Sequence, residues 1–250
     1  MYYQDKEQFK QLNGYTINGV WYPRVTKIVE IKAKPALYRF YGEAETFADG
    51  ERIKRNSAVQ GTLIHNTVEK ILVGESPEID PAILPAIQAF KQFLNQTKIQ
   101  VIPEFVERRI INHQEGYAGT IDALAIIDNK LGILDLKTSQ AIYRDYNLQT
   151  AAYFGALKPQ IPELSTRWIL RIDQIQVCKK CGAILRNKGG RKKIRGEKNN
   201  EDCKHLWSEI KGDIELKEFP YRKEDYQAFL AAKKLWEWEN EYWLKKIGYL

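Results

Sequence analysis

Cysteine is scarce in this chain: three residues in 250, an odd count and too few for a disulfide scaffold. Long apolar runs are missing as well. No stretch of about 18 apolar residues occurs, and 28% charged residues with a mean hydropathy of −0.49 exclude a membrane-embedded protein. There are no internal repeats and no long low-complexity tract, which sets aside solenoid and disordered classes. The opening Met1-Tyr2-Tyr3-Gln4-Asp5-Lys6-Glu7 carries early acids and no apolar segment, so it resembles neither a signal peptide nor a transit peptide. The expectation is a soluble, intracellular, cytoplasmic protein with no membrane partner.

What is present is enough apolar material, 44% of the chain, for one large domain or two small ones. The texture favours one domain over residues 1–250 with an insertion at 178–205. The first hundred residues read mainly helical, with a proline-free stretch from Asp49 to Leu72. Three strands are expected next, at Phe105–Ile111, Thr120–Ile127 and Leu131–Lys137, the last two joined as a hairpin by Asp128-Asn129-Lys130. A helix over 144–157, strands at Thr166–Gln176 and Asp213–Phe219, and a closing helix from Tyr221 to Lys246 complete an α/β or α+β pattern. In that last helix Trp236, Trp238, Tyr242 and Trp243 are spaced to face a core, with base stacking as the alternative.

The chemistry concentrates in two places. On a strand, residues two apart share a face, so Asp135 and Lys137 project together while Leu136 points into the opposite layer. A paired preceding strand brings Asp122 to the same spot. Two carboxylates beside one lysine among Ile, Leu and Ala are costly to desolvate unless compensated, and a hard divalent cation such as Mg²⁺ compensates them. The second place is Cys178-Lys179-Lys180-Cys181 followed by Cys203-Lys204-His205, whose spacing fits a tetrahedral zinc knuckle or ribbon. The segment is poor in apolar residues, so Zn²⁺ at Cys178, Cys181, Cys203 and His205 is expected to supply its folding energy; a loop with incidental thiols is the other reading. His113 has no motif around it and reads as a surface histidine.

Four ordered segments carry a resemblance. Gly61-Thr62-Leu63-Ile64-His65, Gly119-Thr120-Ile121-Asp122, Asp135-Leu136-Lys137 and Gln149-Thr150-Ala151-Ala152-Tyr153 resemble the GxxxH, GxxD, (D/E)xK and QxxxY motifs of the RecB-like exonuclease branch of the PD-(D/E)xK nuclease superfamily. That branch includes the mitochondrial genome maintenance exonuclease and many phage nucleases. Tyr22-Pro23-Arg24-Val25-Thr26-Lys27-Ile28 resembles a Val-Thr segment that often opens such proteins. The resemblance implies a restriction-endonuclease-like α/β fold, a central mixed sheet flanked by helices with a helical N-terminal part. It also implies a Mg²⁺- or Mn²⁺-dependent deoxyribonuclease, an exonuclease on single-stranded or frayed ends, in a phage-type or cellular repair setting.

In that family His65, Asp122, Asp135 and the Leu136 backbone carbonyl are the implied metal ligands, and Lys137 the catalytic cation acting with Asp135 and Asp122. Glu69 is either a ligand of a second metal or a support for His65. Gln149 and Tyr153 contact DNA, orient the active-site face, or are ordinary helix positions. A non-catalytic nucleic-acid-binding module, a structure-directed endonuclease and a zinc-organised subunit working with a helicase or recombination partner are the rival readings.

The net charge of +7 has an address. Residues 178–205 hold ten Lys or Arg against three acids, while the remainder balances at 29 of each sign. Arg191, Lys192, Lys193 and Arg195 are therefore the expected phosphate-attracting side chains.

Overall fold

The structure, a computed structural model, describes residues 3–196 and 202–250. Glu197, Lys198 and Glu201, part of the insertion's charge count, lie outside the described residues.

The chain opens with α1 (Lys6–Asn13), whose first turn is capped by the Asp5 carboxylate accepting from the Gln8 amide at 2.8 Å. A two-stranded hairpin follows, β1 (Gly14–Ile17) and β2 (Val20–Pro23), turned by Asn18 and Gly19 at positive φ. Four helices come next: α2 (Val25–Val29), α3 (Pro35–Gly42), the long α4 (Phe47–Leu72) and α5 (Leu84–Gln96). The strand-rich half begins with β3 (Gln100–Ile102), β4 (Arg108–Asn112), β5 (Tyr117–Ile121), β6 (Ala123–Ile127) and β7 (Lys130–Lys137). It continues through α6 (Asp145–Leu157), β8 (Thr166–Val177), β9 (Ile184–Lys188), β10 (Arg191–Arg195) and β11 (Lys211–Pro220), and closes with α7 (Lys223–Glu239) and α8 (Glu241–Lys246).

The fold is α/β around a seven-stranded mixed sheet of order β10-β9-β8-β7-β6-β3, with β11 also paired to β8. Among the described strands of this sheet only β7 and β8 run parallel, and α6 makes the crossover such a pair requires. Strand alternation sorts the two faces. Leu134 and Leu136 join Leu170 and Ile172 in a core shared with Ile64 and Val68 of α4 and Phe90 of α5. Ile133 faces the other core, with Val25, Tyr153, Phe154 and Phe229. Asp135 and Lys137 share the parity of Ile133, so they emerge on the α6 side. No helix among the described residues is long and apolar enough to cross a membrane.

Four expectations are corrected. The N-terminal part contains the β1–β2 hairpin besides its helices. The expected strand Thr120–Ile127 is two strands broken at Asp122: β5 pairs with β4 in a separate two-stranded sheet, and β6 pairs with β7 in the main one. The expected strand at Phe105–Ile111 starts only at Arg108, and the neighbour of β6 is β3 instead. The closing helix breaks at Asn240; Trp236 is buried and Trp243 stacks on Phe9 at 5.8 Å, while Trp238 and Tyr242 are exposed. The tight β6–β7 turn is as expected, with Asp128 and Asn129 both at positive φ.

The insertion continues the sheet. From the end of β8, Gln176 and Val177 pair with Leu185 and Ile184 of β9, which pairs in turn with β10. Its neck is closed by a bridge between Cys178 and Trp207 and by the Ser208 amide donating to the Val177 carbonyl at 2.9 Å. Cys178, Ala183 and Leu185 are buried, so the segment borrows a core from its neighbours.

Candidate active site

Asp122 sits where the chain leaves the small sheet for the large one, and that switch aims its carboxylate at β7. Its Oδ2 accepts from the Leu136 amide at 2.5 Å and lies 3.3 Å from His65 Nε2. The other ring nitrogen, Nδ1, is hydrogen-bonded to Glu69 one turn further along α4. Glu69 thus holds the histidine from behind and leaves Nε2 toward the cleft. Asp135 is fully buried; its Oδ2 has the Lys137 ammonium at 2.5 Å, and its Oδ1 accepts from Gln149 Nε2 at 3.1 Å. Gln149 Nε2 also donates to the Tyr153 hydroxyl at 3.1 Å. The QxxxY pair of α6 therefore locks the carboxylate of β7.

Two glycines permit these approaches. A Cβ on Gly61 would stand 2.6 Å from Thr138 Oγ1, so α4 comes this close to the end of β7 only without a side chain there. A Cβ on Gly119 would stand 2.4 Å from Tyr153 Cε1. Gly119→Ala is accordingly expected to displace the Tyr153 ring and cost about 1–3 kcal/mol in urea unfolding, with lost activity through Gln149. Wild-type stability in that variant would show that the ring has room to move.

The cleft holds about 510 Å³ and is lined by His65, Asp122, Leu136, Lys137, Gln149 and Tyr153 among others. Two further residues belong to it. Glu107, at positive φ, reaches the cleft mouth, and one carboxylate oxygen of it lies within 4.8 Å of ligand atoms of both His65 and Asp122. Arg24 stacks on Tyr15 at 4.4 Å opposite Arg109 at 4.3 Å, and its buried Nε has no hydrogen-bond partner among the described residues. Asp135 stays outside the His65–Asp122–Glu107 group, drawn back by Lys137 and Gln149.

The electrostatics are those of a charged cluster out of water. Burial acts against the imidazolium of His65, but Asp122 and Glu69 outweigh it and hold its pKa up at about 10. Burial lifts Asp135 to about 6 against the pull of Lys137. Asp122 is also pushed up by burial, yet His65, Lys137 and the Leu136 amide carry it below the usual carboxylate range. Burial would lower Lys137, and the carboxylates of Asp135 and Asp122 raise it instead. Glu107 is lifted to about 7 by desolvation and by the charges of Glu69 and Asp122.

A hard divalent cation fits this donor set of one imidazole and several carboxylate oxygens. The buried Asp135 Oδ2, beside an ammonium but with no donor in hydrogen-bonding orientation, is a further oxygen of the kind such an ion takes. A metal at Nε2 must displace the His65 proton, so Mn²⁺ affinity should rise about tenfold per pH unit between pH 6.5 and 8.5. Titrations at three pH values check this, and a flat profile would place the ion elsewhere. In the metal-free chain the sign is opposite. The raised pKa makes His65 stabilising below its ordinary 6.5, and that contribution is lost as pH rises through about 10.

A second cluster lies at the insertion's neck. One ligand atom each from Cys178, Cys181, Cys203 and His205 falls within 4.8 Å of all the others, a set that could hold a metal ion. Burial pushes the Cys178 thiol up, but the Cys181 and Lys180 amides and His205 outweigh it and bring it well down. Burial and the neighbouring sulfurs of Cys181 and Cys178 push Cys203 up. Such crowding of negative charge is relieved by a bound cation. His113 is exposed, in reach of the Tyr22 hydroxyl at 3.2 Å and apart from both clusters.

Glu107 and Arg24 were not singled out by sequence. The signal for Glu107 was the run Glu107-Arg108-Arg109, three charges that break strand alternation. Arg24 stood inside the Val-Thr segment without a role.

No family model matches the chain, and no curated protein does. Among solved structures the chain is similar to that of SSO0001, with a TM-score of 0.38 and 13% identity over 90% of this chain and 83% of that one. A likeness of this degree fixes neither family nor activity.

Proposed function

We propose that the chain is a metal-dependent deoxyribonuclease of the PD-(D/E)xK type with a restriction-endonuclease-like core, acting as an exonuclease on single-stranded or frayed DNA ends. The observation that carries this reading is the convergence of His65, Asp122 and Lys137, from α4 and both sides of the β6–β7 hairpin, at one open cleft, with Asp135 buried behind it against the Lys137 ammonium. His65, Asp122, Asp135 and the Leu136 carbonyl would hold Mg²⁺ or Mn²⁺, with Glu107 in reach. Such an ion, when bound, lowers the pKa of water and offsets charge on a phosphate.

The chain's own groups do the rest. Lys137 orients the attacking water and neutralises charge growing on the phosphoryl oxygens. Asp135 and Gln149 keep that ammonium in place, and Glu69 fixes the imidazole. Arg24, with an unpartnered Nε, is placed to grip a neighbouring phosphate. At the neck, the Cys₃His set is read as a structural Zn²⁺ site, because three thiols and an imidazole gathered within 4.8 Å of one another suit that ion.

The test is end-labelled single-stranded, duplex and closed circular DNA, incubated with Mg²⁺, with Mn²⁺ and with chelator. Metal-dependent shortening of linear DNA with circles left intact is the expected result. If linear and circular DNA both survive, the catalytic reading fails; cut circles would make the enzyme an endonuclease.

A further inference from the structure

A second, larger groove of about 980 Å³ adjoins the cleft and shares Ser57, Ala58, Lys137 and Thr138 with it. One wall is α3 with the segment before it; the opposite wall is the β9–β10 hairpin of the insertion. Eleven lysines and arginines line it against two acids, Glu43 and Asp145. Both acids are already spent, Glu43 on Arg191 and Asp145 on Lys32. Lys34, Arg39, Arg144 and Lys193 are in no ion pair among the described residues. So concentrated a positive field is expensive to assemble without a polyanion to receive it.

The hairpin is a fixed wall. Lys188 is buried and its ammonium donates to the carbonyl of Thr138, the residue after the catalytic lysine. Arg186 is paired with Asp173 of β8, and Arg191 lies over the Phe40 ring of α3 at 4.9 Å besides its ion pair with Glu43. Strand alternation then decides which cations face inward: Arg191, Lys193 and Arg195 line the groove, and Lys192 does not.

Aromatic rings decide what kind of polyanion fits. Phe40, Tyr143 and Tyr146 line the same groove, and the Tyr146 ring lies 5.1 Å from the Lys137 ammonium. Cations that follow a backbone, with rings that stack on bases, make a site for unpaired nucleotides, whereas a duplex hides its base faces.

We propose that this groove is the path of a single nucleic-acid strand to the catalytic cleft, with the metal-necked hairpin of residues 184–195 as its outer wall. The proposal rests on the nuclease reading for what happens at the end of the path, but binding tests it separately. The variant is Lys34→Glu/Arg39→Glu/Lys193→Glu, all outside the catalytic cleft. The probe is a fluorescent dT20 without added divalent metal, read by anisotropy across a salt series.

Affinity at 0.15 M salt should fall at least about 50-fold, and the plot of log K against log salt should become shallower by about 2, near 0.7 for each of three phosphates. Phe40→Ala should weaken dT20 binding at least about fivefold. Hydrolysis of the p-nitrophenyl ester of thymidine 5′-monophosphate with Mn²⁺ should stay within twofold of wild type. Should the triple variant misfold by circular dichroism, Arg39→Glu alone, at an exposed helix position, carries the same test with a slope change of about 0.7.

Unchanged affinity and slope overturn the groove. A 20-base-pair duplex competing as well as dT20 overturns the single-strand assignment. If wild type binds dT20 through the groove yet cuts neither dT20 nor the ester, the catalytic reading fails and the groove stands. Ester hydrolysis with binding insensitive to all these variants is the converse.

Discussion

Lys137→Ala is expected to slow DNA cleavage by about 10²–10³-fold, the cost of losing one charge-stabilising group from the site. DNA affinity should stay within about threefold, because one cation is lost from a groove lined by eleven. The substitution also acts on the fold. Asp135 is fully buried and its nearest charge partner is Lys137, so the variant strands a carboxylate that costs up to about 3–5 kcal/mol when ionised. The carboxyl can escape by taking a proton. Its pKa is already lifted to about 6 and must rise further without the ammonium.

A raised folded pKa means stability that is present at low pH and lost as pH rises through that value. The variant should therefore melt closer to wild type at pH 5 than at pH 8. Adding Asp135→Asn should recover stability and leave activity absent, which separates chemistry from folding. A Lys137→Ala enzyme as fast as wild type would remove the lysine from the mechanism.

The second large effect concerns the neck. Protein as purified is expected to carry one zinc per chain, and Cys203→Ser to carry less than about a fifth of that, since structural zinc and folding are one equilibrium. Loss should be local. Amides of β9 and β10 should exchange freely in the variant, while those of β7 and β8 keep their protection. With the hairpin loose, Asp173 loses Arg186 and Thr138 loses Lys188. Melting should fall by about 5–10 °C, in line with a few kcal/mol in a chain of this size. Full zinc content in Cys203→Ser, or unchanged exchange in the hairpin, would rule out a metal-held neck.

Much of the site was legible because its residues lie on regular elements. Asp135 and Lys137 share a face by strand parity, and His65 and Glu69 by one helical turn. The Cys₃His set was legible from spacing alone. What escaped depends on chain reversals. In Thr120–Ile127 the strand-disfavoured residue is Asp122 itself, but an aspartate alone does not announce that the chain changes sheets there. Glu107 reaches the cleft through a positive φ, a conformation that glutamate does not advertise. Asn18-Gly19, by contrast, was an available hairpin signal inside a region read as helical. The tryptophan stripe of the closing helix failed for a plainer reason: Trp238 stands two residues after Trp236 in the same helix and so points to the opposite side, into solvent.

The insertion's charge reads in sequence as phosphate-attracting, Arg191 included, yet Lys188, Arg186 and Arg191 hold the hairpin down. Burial lowers the Lys188 ammonium to about 8, below the ordinary lysine value. Counting cations along a sequence does not reveal which of them face solvent.

Because the chain enters and leaves the insertion at the Cys178–Trp207 bridge, residues 179–206 form a cassette with coincident ends. Linking Val177 to Ser208, already in hydrogen-bond contact across an antiparallel pair, through a two-residue turn would delete the cassette together with Cys178 and Trp207 without lengthening any connection in the main sheet. The obstacle is a single buried carboxylate, Asp173, whose guanidinium partner leaves with the cassette. A graft or deletion should therefore be made together with Asp173→Asn. Designed in that way, the remaining body becomes a socket into which other hairpins can be exchanged.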